Sequence, residues 1–295
     1  MSLDQFVQYL VSGLSQGSIY ALVGLGFTLI HAVTRIINFA QGEFVMLGGM
    51  MSFVLIRSAG IPMPLALLMS IAIAVVIGAL LYALGIRSAR KASVVSLIII
   101  TIGAAILIRG IVAEVWGVDP VRPPFFTGDK PLPFLGASIH PQALWIIGTT
   151  AVVTILLHLF LTHTTLGKAL KASSVNPKAA SLVGIDPRVM GLVAFSTAAA
   201  LGAMGGVVMA PLTATRYDAG IMLGLKGFVA ASIGGFTSPL ATVAGGITVG
   251  VIEYVAIGVN WGPFTSSYKD AIALVILLLI LLIRSGKLAA EERAS

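Results

Sequence analysis

The chain has 295 residues, of which 58% are apolar and only 10% charged, with 33 glycines besides. Ordinary soluble domains carry about 25% charged residues, so this sequence lacks the polar shell of a soluble enzyme and is equally unlike a disordered or fibrous chain. The net charge of +7 is dispersed between apolar runs rather than gathered into a patch for nucleic acid, and the absence of cysteine excludes disulfides, thiolate metal sites and cysteine nucleophiles.

These properties predict an all-α fold, a polytopic transmembrane helical bundle of about 8–9 membrane segments within a single domain spanning 1–295. A helix needs about 20 apolar residues to cross a hydrocarbon core of about 30 Å. Runs of that kind lie at 6–30, 37–56, 63–86, 93–115, 142–162, 189–212, 221–258 and 267–284. The start, Met1-Ser2-Leu3-Asp4-Gln5, lacks the basic opening of a secretory signal, so the first run reads as a retained span.

The second run contains Asn38-Phe39-Ala40-Gln41-Gly42-Glu43, where three hydrogen-bonding side chains and a glycine interrupt an apolar segment. Polar backbone at membrane depth is tolerated only where protein or a water-filled cavity covers it. Asn38, Gln41, Gly42 and Glu43 are therefore candidates for a substrate path, with close helix packing through small residues as the competing reading. The fourth run holds Arg109 and Glu114 near one end, where snorkelling to the interface is the simpler expectation. A loop at 116–141 follows and is expected on the outer side.

The loop 163–187 is basic and sharply punctuated. Asn176 suits an N-cap, Pro177 the first helical position and Gly184 the left-handed residue that closes a helix, predicting a short helix over 177–183. So short a helix is marginal in water and must rest on its own protein, on lipid or on a partner. Asp186-Pro187 then signals the start of the next span.

The run 221–258 is too long for one span and breaks at Gly234-Gly235-Phe236-Thr237-Ser238-Pro239 into 221–235 and 240–258. Whether the shorter piece crosses or only dips in is open. Ser238, in this second interruption, joins the candidate path, since paired interruptions point to a binding site. Lys226 lies beside a segment start and Glu253 deep within 240–258, where an ion pair with a basic group is as plausible as a transport role.

Ten of the eighteen Lys and Arg fall at Arg87/Arg90/Lys91, at Lys168/Lys171/Lys178/Arg188 and at Arg284/Lys287/Arg293. The positive-inside rule places these stretches in the cytoplasm, with the N-terminus outside and the C-terminus inside. Trp116, Trp145 and Trp261 then all fall at outer span ends, as an interfacial belt requires. The four histidines show no metal-ligand spacing, and no phosphate-binding loop or catalytic constellation is visible. The chain reads as a transport subunit and not an enzyme.

Several ordered motifs carry a family resemblance. Gly13-Leu14-Ser15-Gln16-Gly17-Ser18-Ile19-Tyr20-Ala21-Leu22 and Asn38-Phe39-Ala40-Gln41-Gly42-Glu43-Phe44 resemble the opening of the LivH-type permeases of branched-chain amino acid ATP-binding-cassette (ABC) importers. Gly224-Leu225-Lys226-Gly227-Phe228-Val229-Ala230-Ala231 and Gly234-Gly235-x-x-Ser238-Pro239 are similar to that family's seventh-segment motifs. The loop 167–186 resembles its cytoplasmic coupling loop, with Lys168 in place of the usual Arg and Lys178 where an acidic residue often stands. The resemblance implies that Gly167, Lys168, Asn176, Pro177, Ala179, Ala180 and Gly184 belong to an ATPase-coupling loop. It implies two cytoplasmic ATP-binding subunits that use the ATP, a second permease subunit and a periplasmic substrate-binding protein, in the lipid of a bacterial inner membrane. No cofactor is expected on this chain. Substrates in the family extend to urea, amides and aromatic acids, with branched-chain amino acids the modal expectation. An ion-coupled secondary transporter of small polar solutes is the alternative, with Glu43 and Glu253 suited to proton coupling.

Overall fold

The computed structural model describes residues 2–89, 92–134 and 136–259, with 270–271, 274–276 and 278–279 of a last helical segment. Trp261, Arg90, Lys91, the third basic stretch and most of the expected span 267–284 lie outside the described residues. The helices in chain order are α1 (Leu3–Thr34), α2 (Gln41–Phe53), α3 (Met63–Leu80), α4 (Val94–Trp116), α5 (Pro141–His163), α6 (Thr165–Val175), α7 (Pro177–Leu182), α8 (Pro187–Thr213), α9 (Ala219–Ile233) and α10 (Pro239–Val259). Six of them, α1, α3, α4, α5, α8 and α10, are long and apolar enough to cross a membrane. Wider π turns extend α2 through Val54–Ser58 and α3 through Leu81–Ile86.

Local chemistry sets the boundaries. Ser93 caps α4 by accepting from the Ser96 amide, His140 caps α5 ahead of Pro141, and Asp186 caps α8 ahead of Pro187. In each, a side-chain acceptor satisfies one of the amides that a helix start leaves unpaired. Gly117 closes α4 at φ +85°, a left-handed value that glycine adopts without Cβ strain.

α1 forms the axis of the bundle, with 78% of its most apolar stretch buried against 17% for α4. At 32 residues it is about 48 Å long, more than the hydrocarbon core alone requires. It runs antiparallel to α10, and backbone meets backbone along the seam. A Cβ on Gly13 would lie 2.8 Å from the Val251 Cα, and one on Gly17 2.7 Å from the Gly246 carbonyl oxygen. Further along, the Thr28 and Thr242 hydroxyls share a 2.8 Å hydrogen bond. α8 packs on the other side of α1, and α3, α4 and α5 form the periphery, exposing apolar side chains such as Leu84, Ile106 and Leu156.

The loop after α4 folds back over one end of the bundle. It carries a hairpin of β1 (Leu132–Phe134) and β2 (Ala137–Ile139), and Val121 pairs with Thr215 in an isolated bridge. The Ser138 amide donates to Gln8 of α1, and the Trp145 indole N–H donates to Thr127. Trp116 and Trp145 are both exposed at this end.

Candidate functional site

Two short helices begin inside the bundle and meet. α1 stops when Arg35 takes φ +58°, and the chain doubles back through an Asx turn in which the Asn38 side-chain Oδ1 accepts from the Ala40 amide. α2 starts at Gln41. The chain after α8 likewise re-enters, and α9 starts at Ala219. Their first turns touch through glycine: a Cβ on Gly42 would collide with the Gly220 carbonyl oxygen and lie 2.9 Å from the Gly224 Cα. Only glycine permits this approach.

Glu43 sits in the first turn of α2, where the helix dipole favours a carboxylate. Its Oε1 accepts from Arg109 Nη2 of α4 at 2.5 Å. The Glu43 side chain is 2% exposed and that of Arg109 24%. Arg109 therefore does not snorkel as its position in the span implies; it turns inward to neutralise a buried carboxylate. Glu43 Oε2 and Arg109 Nε have no partner among the described residues. Both residues line a cavity of about 300 Å³ between α1, α2, α4 and α9, walled otherwise by aromatic and aliphatic groups including Phe27, Phe39 and Phe228. Phe228 stacks on Phe39 at 6.2 Å and meets Phe27 edge-on at 5.8 Å. Near the α9 start Arg216 pairs with Asp218, holding that carboxyl below its ordinary range.

The other path candidates separate. Asn38 is fully buried, and its oxygen serves the turn. Gln41 points away from the cavity, donating to the Ala198 carbonyl of α8 at 2.9 Å beside Gly26 and Gly202. Gly42 is the close-approach residue. Ser238 starts α10, accepting from the Ala241 amide, and lines a different cavity with Thr28, His158 and Lys171. Glu43 and Ser238 are thus not brought together.

A second buried ionic group lies where α1, α9 and α10 converge. Lys226 Nζ donates to Glu253 Oε1 at 2.8 Å, to Asp270 at 2.7 Å and to the Tyr20 hydroxyl at 2.9 Å, and that hydroxyl donates to Glu253 Oε2 at 2.9 Å. Lys226 is buried, not interfacial. Sequence reasoning singles out Lys226 and Glu253 separately but misses Tyr20 and Asp270. The available signal is charge arithmetic, since intramembrane acids and bases pair off.

The basic loop folds as its punctuation predicts. The Asn176 side chain accepts from the Ala179 amide at 3.0 Å, Pro177 opens α7, and Gly184 stands at φ +86° beyond Val183. Ala180 is buried, whereas Leu182 and Val183 are 88% and 76% exposed. Gly167 lets α6 start hard against the Phe160 carbonyl, where a Cβ would collide with the oxygen, and Lys168 and Lys178 face outward.

Six helices long and apolar enough to cross a membrane, with two shorter ones starting inside the bundle, define a polytopic membrane protein. Residues 9–281 match the family described as branched-chain amino acid transport system, permease component, and the chain belongs to that family. It is 29% identical to the high-affinity branched-chain amino acid transport system permease protein LivH of Salmonella typhimurium, over 94% of this chain and 93% of that one. It is 29% identical to the corresponding permease protein BraD of Pseudomonas aeruginosa, over 95% and 94%. A chain of PsaBC from Streptococcus pneumoniae in complex with Fab superposes with a TM-score of 0.48 at 15% identity, covering 94% of this chain and 89% of that one. The chain is a multi-pass membrane protein of the branched-chain amino acid permease family.

Proposed function

We propose that the chain is the permease subunit of an ABC importer that takes up branched-chain or related amino acids by alternating access. A periplasmic binding protein delivers the solute, a second permease completes the pathway, and two cytoplasmic ATP-binding subunits use the ATP. The α2 and α9 starts bring the membrane segments to about 8–9, with the N-terminus outside and the C-terminus inside the bacterial inner membrane. Glu43 lines the pathway at the start of α2 and Gly42 sets its approach to α9, while Asn38 and Gln41 hold that start in place and Ser238 the turn into α10.

The observation that carries this reading is the loop 163–187. It presents a short, capped helix with Leu182 and Val183 turned outward. Isolated helices this short are marginal in water, and a capped helix with its apolar tip uncovered beside a basic surface suits a contact with another protein. A groove on a cytoplasmic ATPase is the occupant that fits. Closing of the ATPases then biases the bundle between its inward- and outward-facing states, each favoured by differential contacts with that loop.

Mild-detergent affinity purification from the native membrane, followed by uptake in proteoliposomes, tests the reading. Co-purification of two P-loop ATPases and a second permease, with vanadate-sensitive uptake, is the expected outcome. Uptake by the chain alone that resists vanadate and collapses with a protonophore overturns it in favour of ion-coupled transport.

A further inference from the structure

We propose that Glu43 and Arg109 form a binding site for the zwitterionic head of an α-amino acid, with Phe27, Phe39 and Phe228 receiving its apolar side chain. The inference rests on the importer reading above and adds the residues that recognise the solute during passage.

The pair offers two complementary contacts. Glu43 Oε1 is engaged by Arg109, while Oε2 and Arg109 Nε have no partner among the described residues, and both side chains line the same cavity. An ammonium on Oε2 and a carboxylate on the guanidinium would satisfy both. Glu43 Oε2 packs against Gly220 of α9, where a Cβ would lie 2.6 Å from that oxygen, so glycine there is what admits the carboxylate at the cavity wall. Charge balance selects the ligand further. The pair is neutral as a whole, so a neutral but dipolar solute leaves no uncompensated charge in a low-dielectric setting, whereas a net cation or anion does.

The remaining wall is apolar, and at about 300 Å³ the cavity suits a small solute. The Phe39–Phe228 stack and the edge of Phe27 form a flat boundary against which an aliphatic chain loses water. Ile106 of α4 and Ile221 of α9 stand exposed at the mouth. An arginine within an apolar span faces protein or a water-filled cavity and not lipid, and the mouth opens beside Arg109.

The absence of cysteine gives a direct test. In the assembled importer, Ile106→Cys supplies this chain's one thiol, at the cavity mouth. Millimolar L-leucine is expected to slow its alkylation several-fold. 4-Methylpentanoate, which lacks the ammonium, and 3-methylbutylamine, which lacks the carboxylate, are expected to leave the rate unchanged. Equal protection by all three, or none by leucine, overturns the site. Glu43→Gln and Arg109→Gln are expected to move roughly tenfold less leucine per ATP hydrolysed, as loss of a charge-assisted contact implies; Arg109→Lys recovers part. A parallel fall in ATP hydrolysis and uptake, or in assembly, assigns the pair a structural role and overturns the proposal. An Ile106→Cys importer that couples ATP to leucine uptake while leucine leaves the introduced thiol unprotected sinks the site but keeps the importer reading. Failure of the parent importer to couple ATP at all sinks that reading instead.

Discussion

Lys226 on α9 and Glu253 on α10 form an ion pair of 2.8 Å in which the two side chains are 6% and 1% exposed. Tyr20 bridges them and Asp270 supplies a second carboxylate to the same ammonium. The two changes that break the pair are therefore unequal. Lys226→Met leaves Glu253 buried without its cation, while Asp270, 42% exposed, keeps its water. The change is expected to destabilise by about 3–5 kcal/mol, the range for an orphaned buried charge. Glu253→Gln leaves Asp270 on Lys226 and is expected to cost less. Thermal unfolding in detergent orders the variants, and equal losses would refute the shared-ammonium arrangement.

Gly184 closes α7 at φ +86°, with nothing within 4 Å of the position a Cβ would occupy. A substitution there is penalised by its backbone alone. Gly184→Val is expected to cost about 1–2 kcal/mol locally and to uncouple ATP hydrolysis from uptake by disordering the Leu182–Val183 tip. Unchanged solute moved per ATP in the assembled importer would remove this loop from coupling.

The contact between Gly42 and Gly220 leaves no room for a methyl group, whereas Gly110 on α4 faces open space. Gly42→Ala is expected to overpack the α2–α9 crossing by about 1–3 kcal/mol. Gly110→Ala, in an exposed helix interior, is expected to be neutral or to stabilise by up to about 1 kcal/mol. Melting temperatures of the two variants measured side by side decide it; similar shifts would mean the crossing yields.

Asp218 is held below its ordinary carboxylate range by the Arg216 guanidinium that donates to it, with a smaller pull from Arg109. A depressed folded-state pKa contributes stability above the unfolded value, about 3.9, and that contribution is lost as pH falls through the lower folded value. The Tm gap between the parent chain and Asp218→Asn is therefore expected to hold at neutral pH and to close below about pH 4. The effect is small because both side chains are partly exposed, Arg216 at 53%. A gap unaltered by acid would detach it from this carboxylate.

The segments themselves were legible in the sequence. Expected runs at 63–86, 142–162 and 240–258 correspond to Met63–Ile86, Pro141–His163 and Pro239–Val259. Hydropathy over some 20 residues and the chemistry of caps are local properties, and so is the break at Gly234 to Ser238 between α9 and α10. The partners of the charges were not legible. Glu43 and Arg109 are 66 positions apart and Tyr20 and Glu253 233 apart, separations over which periodicity carries no information. Gln41 shows the same limit from the other side. It stands two residues from Glu43 with the same polar character, yet the helical rotation turns it towards Ala198 of α8.

The seam between α1 and α10 has a mechanical consequence. Helices that interlock through long side chains can slide by exchanging rotamers, but Gly13 and Gly17 press on Gly246 and Gly250 main chain to main chain, where no rotamer exists to exchange. The two helices are thus expected to move as one post, pinned also by the Thr28–Thr242 and Tyr20–Glu253 hydrogen bonds. Any rocking of the bundle takes place around it, and spin labels placed along α1 and α10 would keep constant separations while those on α4 travel.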